Sequence, residues 1–320
     1  MIKALAITGP TASGKTSLSL SVAEMLGCEI ISCDSMQIYR GMDIGTAKAT
    51  AEEQARVPHH LIDILPPTEP YSAEQYRADA INSAKAISER GKIPLFVGGT
   101  GLYIDTVMRG GDLSSPPSDP VLSERLRAIG STEEGREKLW GRLNEIDPLS
   151  AEKTHKNNVR RVARAIEIFE LTGKTKSYFD LLSTKDESEI SVAMLTLDCH
   201  DRELLYRRVN ERVDVMMSEG LLCEARRLFE SGFLDRKYTC SQAIGYKEML
   251  SFLLGEETLE EAVEQLKQSS RRYAKRQLTW FRREKNAYRL YLDREDGTLV
   301  STEELCKEAT EFFMTYLNTK

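Results

Sequence analysis

The sequence lacks several features, and each absence removes a class of function. Its six cysteines (Cys28, Cys33, Cys199, Cys223, Cys240, Cys306) include no C-x-x-C pair. That argues against a zinc site, and without a secretory context no disulfide framework is expected. The four histidines (His59, His60, His155, His200) show no ligand spacing and read as ordinary side chains. No apolar run approaches the ~20 residues of a membrane span, and Met1-Ile2-Lys3 leads into a strand rather than a signal peptide. A cytoplasmic protein with no membrane partner is the expectation. Nor is there an excess of positive charge: 44 Lys+Arg against 50 Asp+Glu leave a net charge of −6, with no global sign of nucleic acid binding. No repeat or low-complexity tract is present. The 320 residues, 29% of them charged, suit a soluble chain of one large or two smaller domains.

Against this background, "ALAITGPTASGKTSL" (4–18) stands out. A buried strand runs into Gly9-Pro10-Thr11-Ala12-Ser13-Gly14-Lys15-Thr16, the G-x-x-x-x-G-K-[ST] spacing of a phosphate-binding loop, and a helix follows to about Met25. Backbone N–H groups at a helix start converge on an anion. Lys15 supplies a point charge, and the Thr16 hydroxyl is the candidate ligand for Mg2+. The spacing does not say which phosphate is bound.

Further strands are predicted at 29–34, 93–103, 191–198 and 287–293. Strands followed at once by helices predict an α/β fold, a P-loop NTPase-like parallel sheet flanked by helices. "GGDLSSPPSDP" (110–120) and "STKDESE" (183–189) read as breaks around a helical, strand-free stretch. The expected organisation is a core of 1–111 and 189–320 with a helical insertion domain at 112–188, and a largely helical C-terminal half.

In a parallel sheet the strand C-termini gather where ligands bind. Asp34, closing the second strand, is expected beside the phosphate loop as a general base or a magnesium partner. Thr100, after "PLFVGG", falls on the same rim, placed to bond a leaving oxygen or simply to cap the next helix. Arg208 and Arg212 stand one helical turn apart, a like-charge pair that an anion between them would stabilise. In "HKNNVRRVARAIEIF" (155–169), Arg160, Arg161 and Arg164 flank an apolar stripe. The strip "RRYAKRQLTWFRREKNAYR" (271–289) holds eight Arg or Lys against one Glu, with aromatics interleaved, in an otherwise acidic chain. Several basic patches on different elements point to a long polyanion.

In this order, "GPTASGKT", "DSMQIYRGMDIGTAK", "VGGTGLYI", "NNVRRVARAIEI", "QAIGYKE" and "KRQLTWFR" resemble the tRNA dimethylallyltransferases, from about residue 3 to residue 292. The resemblance implies transfer of the dimethylallyl group of dimethylallyl diphosphate to N6 of the tRNA adenosine 3′-adjacent to the anticodon, with release of diphosphate. It implies that Lys15, Thr16 with Mg2+, Arg208 and Arg212 grip the diphosphate, with Thr11 and Ser13 lining that site. It further implies that Thr100 bonds the bridging oxygen and that Asp34 takes the proton. Asp34, Ser35, Met36 and Gln37 match the segment that meets the acceptor base. Three segments match regions that contact tRNA: Arg160, Arg161, Val162, Ala163 and Arg164; Ala243, Ile244, Gly245, Tyr246, Lys247 and Glu248; and Lys275, Arg276, Gln277, Leu278, Thr279, Trp280, Phe281 and Arg282. The insertion corresponds to a tRNA-binding domain. The tail lacks the cysteines and histidines of the eukaryotic zinc finger, which favours a bacterial or organellar type, and its apolar residues (Leu305, Ala309, Phe312, Phe313, Tyr316) read as a docking helix. A monomer is expected. Met36, Ile38 and Tyr39 are candidates for holding the five-carbon group.

Other readings share parts of these features. A small-molecule kinase has the loop and the acid, but not the basic aromatic strip. An adenylate isopentenyltransferase has the core without need of the arginine sets. A non-enzymatic RNA-binding module leaves the phosphate loop without a purpose.

Overall fold

The structure, a computed structural model, describes residues 1–108, 116–182 and 188–319. Six strands, β1 (Ile2–Thr8), β2 (Cys28–Ser32), β3 (His59–His60), β4 (Ile93–Gly98), β5 (Ile190–Asp198) and β6 (Tyr288–Tyr291), form one sheet in the order β3-β2-β4-β1-β5-β6. Every neighbouring pair is parallel. A parallel sheet must bury both faces, and the strand sequences do so by alternation. Leu5, Ile7, Ile30, Leu95 and Leu195 pack into one core, while Ala4, Ala6, Ile31, Phe96 and Met194 pack into the other. The first core is closed by the helices Lys15–Leu26 and Thr302–Asn318, the second by Ala73–Glu89 and Gly101–Met108.

The strands expected near 4–8, 29–34, 191–198 and 287–293 are present within a few residues. The one expected at 93–103 stops at Gly98, because the Gly99-Thr100 turn leads directly into the helix Gly101–Met108. A Cβ on Gly98 would lie 2.3 Å from the Cys33 carbonyl oxygen, so only glycine lets β4 approach the chain leaving β2. β3 has two residues, too few for any periodicity to reveal.

The helix Leu259–Phe281 begins with a capping box formed by Thr258 and Glu261. It ends at Phe281, so the basic strip 271–289 is not one helix: its last part turns into β6. The tail forms the helix Thr302–Asn318. Leu305, Ala309 and Phe313 are buried in the first core, Phe312 and Tyr316 pack against it, and the Tyr316 hydroxyl donates to Ser191 Oγ at 2.7 Å.

Two compact units divide the chain, Met1–Met108 with Ile190–Lys320, and Arg109–Glu189. The breaks expected at 110–120 and 183–189, and the boundary at 111/112, lie largely outside the described residues. The second unit has helices Pro120–Ile129, Glu133–Ile146, Pro148–Glu152, Val159–Thr172 and Lys176–Leu182, and no strand among the described residues. Its core is Leu126, Leu139, Leu143, Val162 and Ile166. Asp119, Thr132, Asp147 and Asn158 each cap a helix by accepting a backbone N–H.

Candidate active site

The loop between β1 and the helix Lys15–Leu26 is shaped by backbone that L side chains rarely adopt. Gly9 has φ 144°, Gly14 φ 86°, and Ala12 sits at φ 63°. A Cβ on Gly9 would meet the Leu197 carbonyl oxygen at 2.9 Å. The loop thus curls over the C-terminal end of β1 and presents its amides at a helix start, where an anion is favoured. Lys15 Nζ donates to the Pro10 carbonyl at 2.7 Å, and Arg208 Nε to the Ala12 carbonyl at 2.9 Å. Ser13 Oγ is buried without a hydrogen-bond partner, a polar atom whose cost a bound anion would relieve. Burial lowers the Lys15 ammonium to about 8, against the opposing pull of the Asp34 charge.

Asp34 lies across from this loop. In the strand order β2-β4-β1, the register pairs Thr8 with Gly98 and Ser32 with Val97, so the three strands end level. The phosphate loop, the Gly99-Thr100 turn and Cys33-Asp34 therefore stand side by side. Asp34 Oδ1 accepts the Met36 N–H at 2.8 Å. Desolvation holds its carboxyl above the ordinary aspartate range, although the Met36 bond and the Lys15 charge pull the other way. The Thr100 hydroxyl accepts the Ser35 N–H at 3.3 Å, facing the Asp34 turn, while its carbonyl starts the next helix. Next to Asp34, the buried Cys33 thiol is pushed up to about 12 and bonds Tyr76, which disqualifies it as a nucleophile.

The helix Leu259–Phe281 supplies the third wall. Tyr273 lines the cavity near Thr100 and Asp34, and burial raises its phenol. Gln277 joins the Thr11 N–H to the Gly99 carbonyl, and the Trp280 ring fills the space where a Cβ on Gly101 would be, 2.2 Å away.

The loop from Thr11 to Thr16, Asp34, Gly99, Arg208, Tyr273 and Gln277 line one cavity of about 1550 Å³, which Arg212 lines as well, while Thr100 stands behind Gly99 and does not line it. Its far wall is the turn that follows Asp34, a segment pinned by two polar clusters that sequence patterns did not single out. The buried Glu224 carboxylate accepts the N–H groups of Asp43, Ile44 and Gly45 at 3.0–3.2 Å and the Tyr246 hydroxyl at 2.6 Å. Lys48 Nζ bonds Asp43, Asp63 and the Tyr39 carbonyl. Gln37 ties that segment back to Asp34's neighbourhood, taking the Ser32 hydroxyl and donating to the carbonyls of Thr46 and Ala47. Of the candidates for an apolar subsite, Met36 lines the cavity, but Ile38 and Tyr39 do not: both are buried in the core beneath it.

The residues expected to touch RNA separate into two groups. Arg160 and Arg161, Lys275, Arg276 and Thr279 are exposed, and Ile244, Lys247 and Trp280 partly so. Val162, Ala163, Ala243, Tyr246, Glu248, Gln277, Leu278 and Phe281 are buried, with their side chains turned into the protein. They form the inner faces of the helices whose outer faces carry the bases. Gly245, at φ 99°, opens the helix Tyr246–Leu253 and is buried too. Arg282 is exposed, and its guanidinium is engaged bidentately by Asp198 at 3.0 and 3.2 Å. Arg164 is held by Glu167 and by the carbonyls of Pro116 and Pro117.

Comparison with known proteins gives consistent matches along the chain. The family described as IPP transferase matches residues 37–284, and that described as isopentenyl transferase matches 2–63. The chain is 50% identical over 276 residues to a tRNA dimethylallyltransferase of Bacillus velezensis, covering 86% of each chain. The Bacillus subtilis tRNA dimethylallyltransferase is 49% identical over 276 residues, again 86% of each. Among solved structures, the full-length tRNA isopentenylpyrophosphate transferase of Bacillus halodurans is 44% identical with a TM-score of 0.73, covering 99% of this chain and 97% of that one. A eukaryotic dimethylallyltransferase acting on tRNA is 31% identical with a TM-score of 0.75, covering 91% of this chain and 74% of that one.

Proposed function

The chain belongs to the IPP transferase family, and from that premise we propose that it transfers the dimethylallyl group of dimethylallyl diphosphate to N6 of the tRNA adenosine 3′-adjacent to the anticodon. The observation that supports this reading best is the level ending of three adjacent strands. They bring an anion cradle and a carboxylate of raised pKa to one cavity, with the Thr100 hydroxyl facing the turn that carries the carboxylate. A kinase would use the cradle, but it has no need of a helix whose inner face closes the cradle while its outer face carries Arg272, Lys275 and Arg276.

The chemistry follows from the placement. The allylic carbon–oxygen bond breaks, its electron pair leaves with the diphosphate, and the N6–carbon bond forms. Lys15, the loop amides, the unpartnered Ser13 hydroxyl, Arg208 and Arg212 hold the negative charge that grows on the leaving group. Thr100 bonds the bridging oxygen. Asp34 orients the exocyclic amine and receives its proton. The acceptor base sits in an RNA loop, where it can leave its stack at a cost of about a few kcal/mol.

Mg2+ fits this site as a partner of the diphosphate. The donors on hand are the exposed Thr16 hydroxyl and Asp34, and no cluster of three acidic, thiol or imidazole ligands exists among the described residues. That donor set suits a hard cation carried mainly by phosphate oxygens. When bound it would neutralise charge on the leaving group.

The direct experiment incubates the protein with unmodified tRNA and dimethylallyl diphosphate and analyses the nucleosides by mass spectrometry. Prenylated adenosine is expected with tRNA or an anticodon stem-loop as acceptor, and little with free AMP. ATP consumption without RNA, and no prenylated nucleoside, would replace this reading with a kinase.

The lowered Lys15 pKa sets a pH dependence. Free Lys15 is charged below about 8 and neutral above it, so kcat/KM for dimethylallyl diphosphate is expected to fall as pH rises through about 8. A bound diphosphate favours the ammonium, so the same limb in kcat lies higher. Lys15→Arg, whose cation does not titrate in this range, is expected to lose the limb. A limb that persists in that variant belongs to another group.

A further inference from the structure

Gln277 was expected to face RNA, yet it is buried and turned inward. Its Oε1 accepts the Thr11 N–H at 2.8 Å, inside the phosphate loop. Its Nε2 donates to the Gly99 carbonyl at 3.0 Å, on the residue before Thr100. The two partners fix the amide's orientation, because one offers only a donor and the other only an acceptor. The fit is close: a Cβ on Gly99 would lie 2.0 Å from Gln277 Nε2. Glycine at position 99 is what lets this amide reach between the two segments.

We propose that Gln277 is a positioning residue for the diphosphate cradle, setting the phosphate loop on β1 against the Thr100 rim on β4 from the helix that faces RNA. This rests on the reading of the cavity as a dimethylallyl diphosphate site. Among the described residues no other side-chain hydrogen bond joins the two segments, so without the amide the loop amides and Thr100 Oγ1 lose a shared reference. Tyr273 and Trp280, one turn to either side, lie near Thr100 and against Gly101, so the inner face of this helix indexes the whole rim. The outer face of the same turns exposes Arg272, Lys275, Arg276 and Thr279. A single rigid element therefore meets both substrates, and RNA bound outside holds the helix that holds the cradle.

The test measures calorimetric binding of dimethylallyl diphosphate without RNA, and separately of an anticodon stem-loop without dimethylallyl diphosphate. Gln277→Met, of similar length but with neither donor nor acceptor, is expected to weaken dimethylallyl diphosphate by about tenfold or more and to leave stem-loop affinity unchanged. Gln277→Glu supplies the reading that a packing role would not move. A protonated glutamic acid can accept from Thr11 and donate to Gly99 as the amide does, whereas the carboxylate repels the Gly99 carbonyl. The ratio of this variant's Kd to that of the wild type, measured from pH 5 to pH 8, is expected to approach unity at the acid end and rise as the introduced carboxyl ionises. Dimethylallyl diphosphate binding unaltered in Gln277→Met, or a Gln277→Glu ratio that does not vary with pH, overturns the assignment. A wild-type protein that binds no dimethylallyl diphosphate overturns the reading of the cavity itself.

Discussion

Asp34→Asn is expected to lower kcat for prenyl transfer by ~10²–10⁴, the range for loss of a general base, while both substrates still bind. The substitution is chosen for what it keeps. Asparagine Oδ1 can accept the Met36 N–H as Asp34 Oδ1 does at 2.8 Å, so the turn through Ser35, Met36 and Gln37 retains its anchor. What is lost is the proton acceptor and its charge. The charge has a second consequence, since Asp34 raises the Lys15 pKa against the desolvation that lowers it. In the variant the alkaline limb of the residual kcat/KM is therefore expected below about 8, where the wild type has it. The two effects have different origins and are read in different experiments, single-turnover rate and pH profile. Near-normal turnover in a variant that binds both substrates would remove Asp34 from the proton transfer.

The parts legible in the sequence are those written in local pattern. The phosphate loop announced itself by glycine spacing and the strands by apolar runs. Asp34 and Thr100 were legible because parallel strands end together. What remained hidden depends on which face of a helix turns inward. "KRQLTWFR" reads as a basic segment, yet only Lys275, Arg276, Thr279 and Arg282 of its eight residues are exposed. Gln277 closes the cradle, Leu278 and Phe281 join the core, and Arg282 serves Asp198 at the end of β5. Polar Gln277 gives no periodic signal of burial, because its burial is repaid by two backbone groups far away in sequence. Glu224 is similar. In "GLLCEARRLFE" it reads as one more surface acid on an amphipathic helix, and only the tertiary structure delivers three amides and a tyrosine hydroxyl to it. The edge strand β3 and the insertion of β4 between β1 and β2 are properties of pairing, which no single strand's sequence encodes.

Lys15→Met is expected to lower kcat/KM for dimethylallyl diphosphate by about 10³, with stem-loop affinity unchanged. Methionine fills most of the lysine's volume, so packing around the loop is largely kept and the change isolates the charge. A pair of unit charges at ~4 Å in a partly desolvated site of effective dielectric ~20 is worth about 4 kcal/mol, which is about three powers of ten in rate when the charge is fully developed only as the carbon–oxygen bond breaks. Arg208, Arg212 and the loop amides remain, so the residual rate is not zero. They also explain why the loss lies in kcat as well as in KM: the leaving group still docks, but its growing charge lacks its nearest cation. The binding of inorganic diphosphate separates the two contributions, because the product carries the charge that the transition state is acquiring. Diphosphate affinity is expected to fall at least as far as that for dimethylallyl diphosphate in the ground state. If Lys15→Met keeps kcat/KM within about tenfold of wild type, or loses RNA binding along with activity, charge stabilisation at this loop is not what drives the departure of the diphosphate.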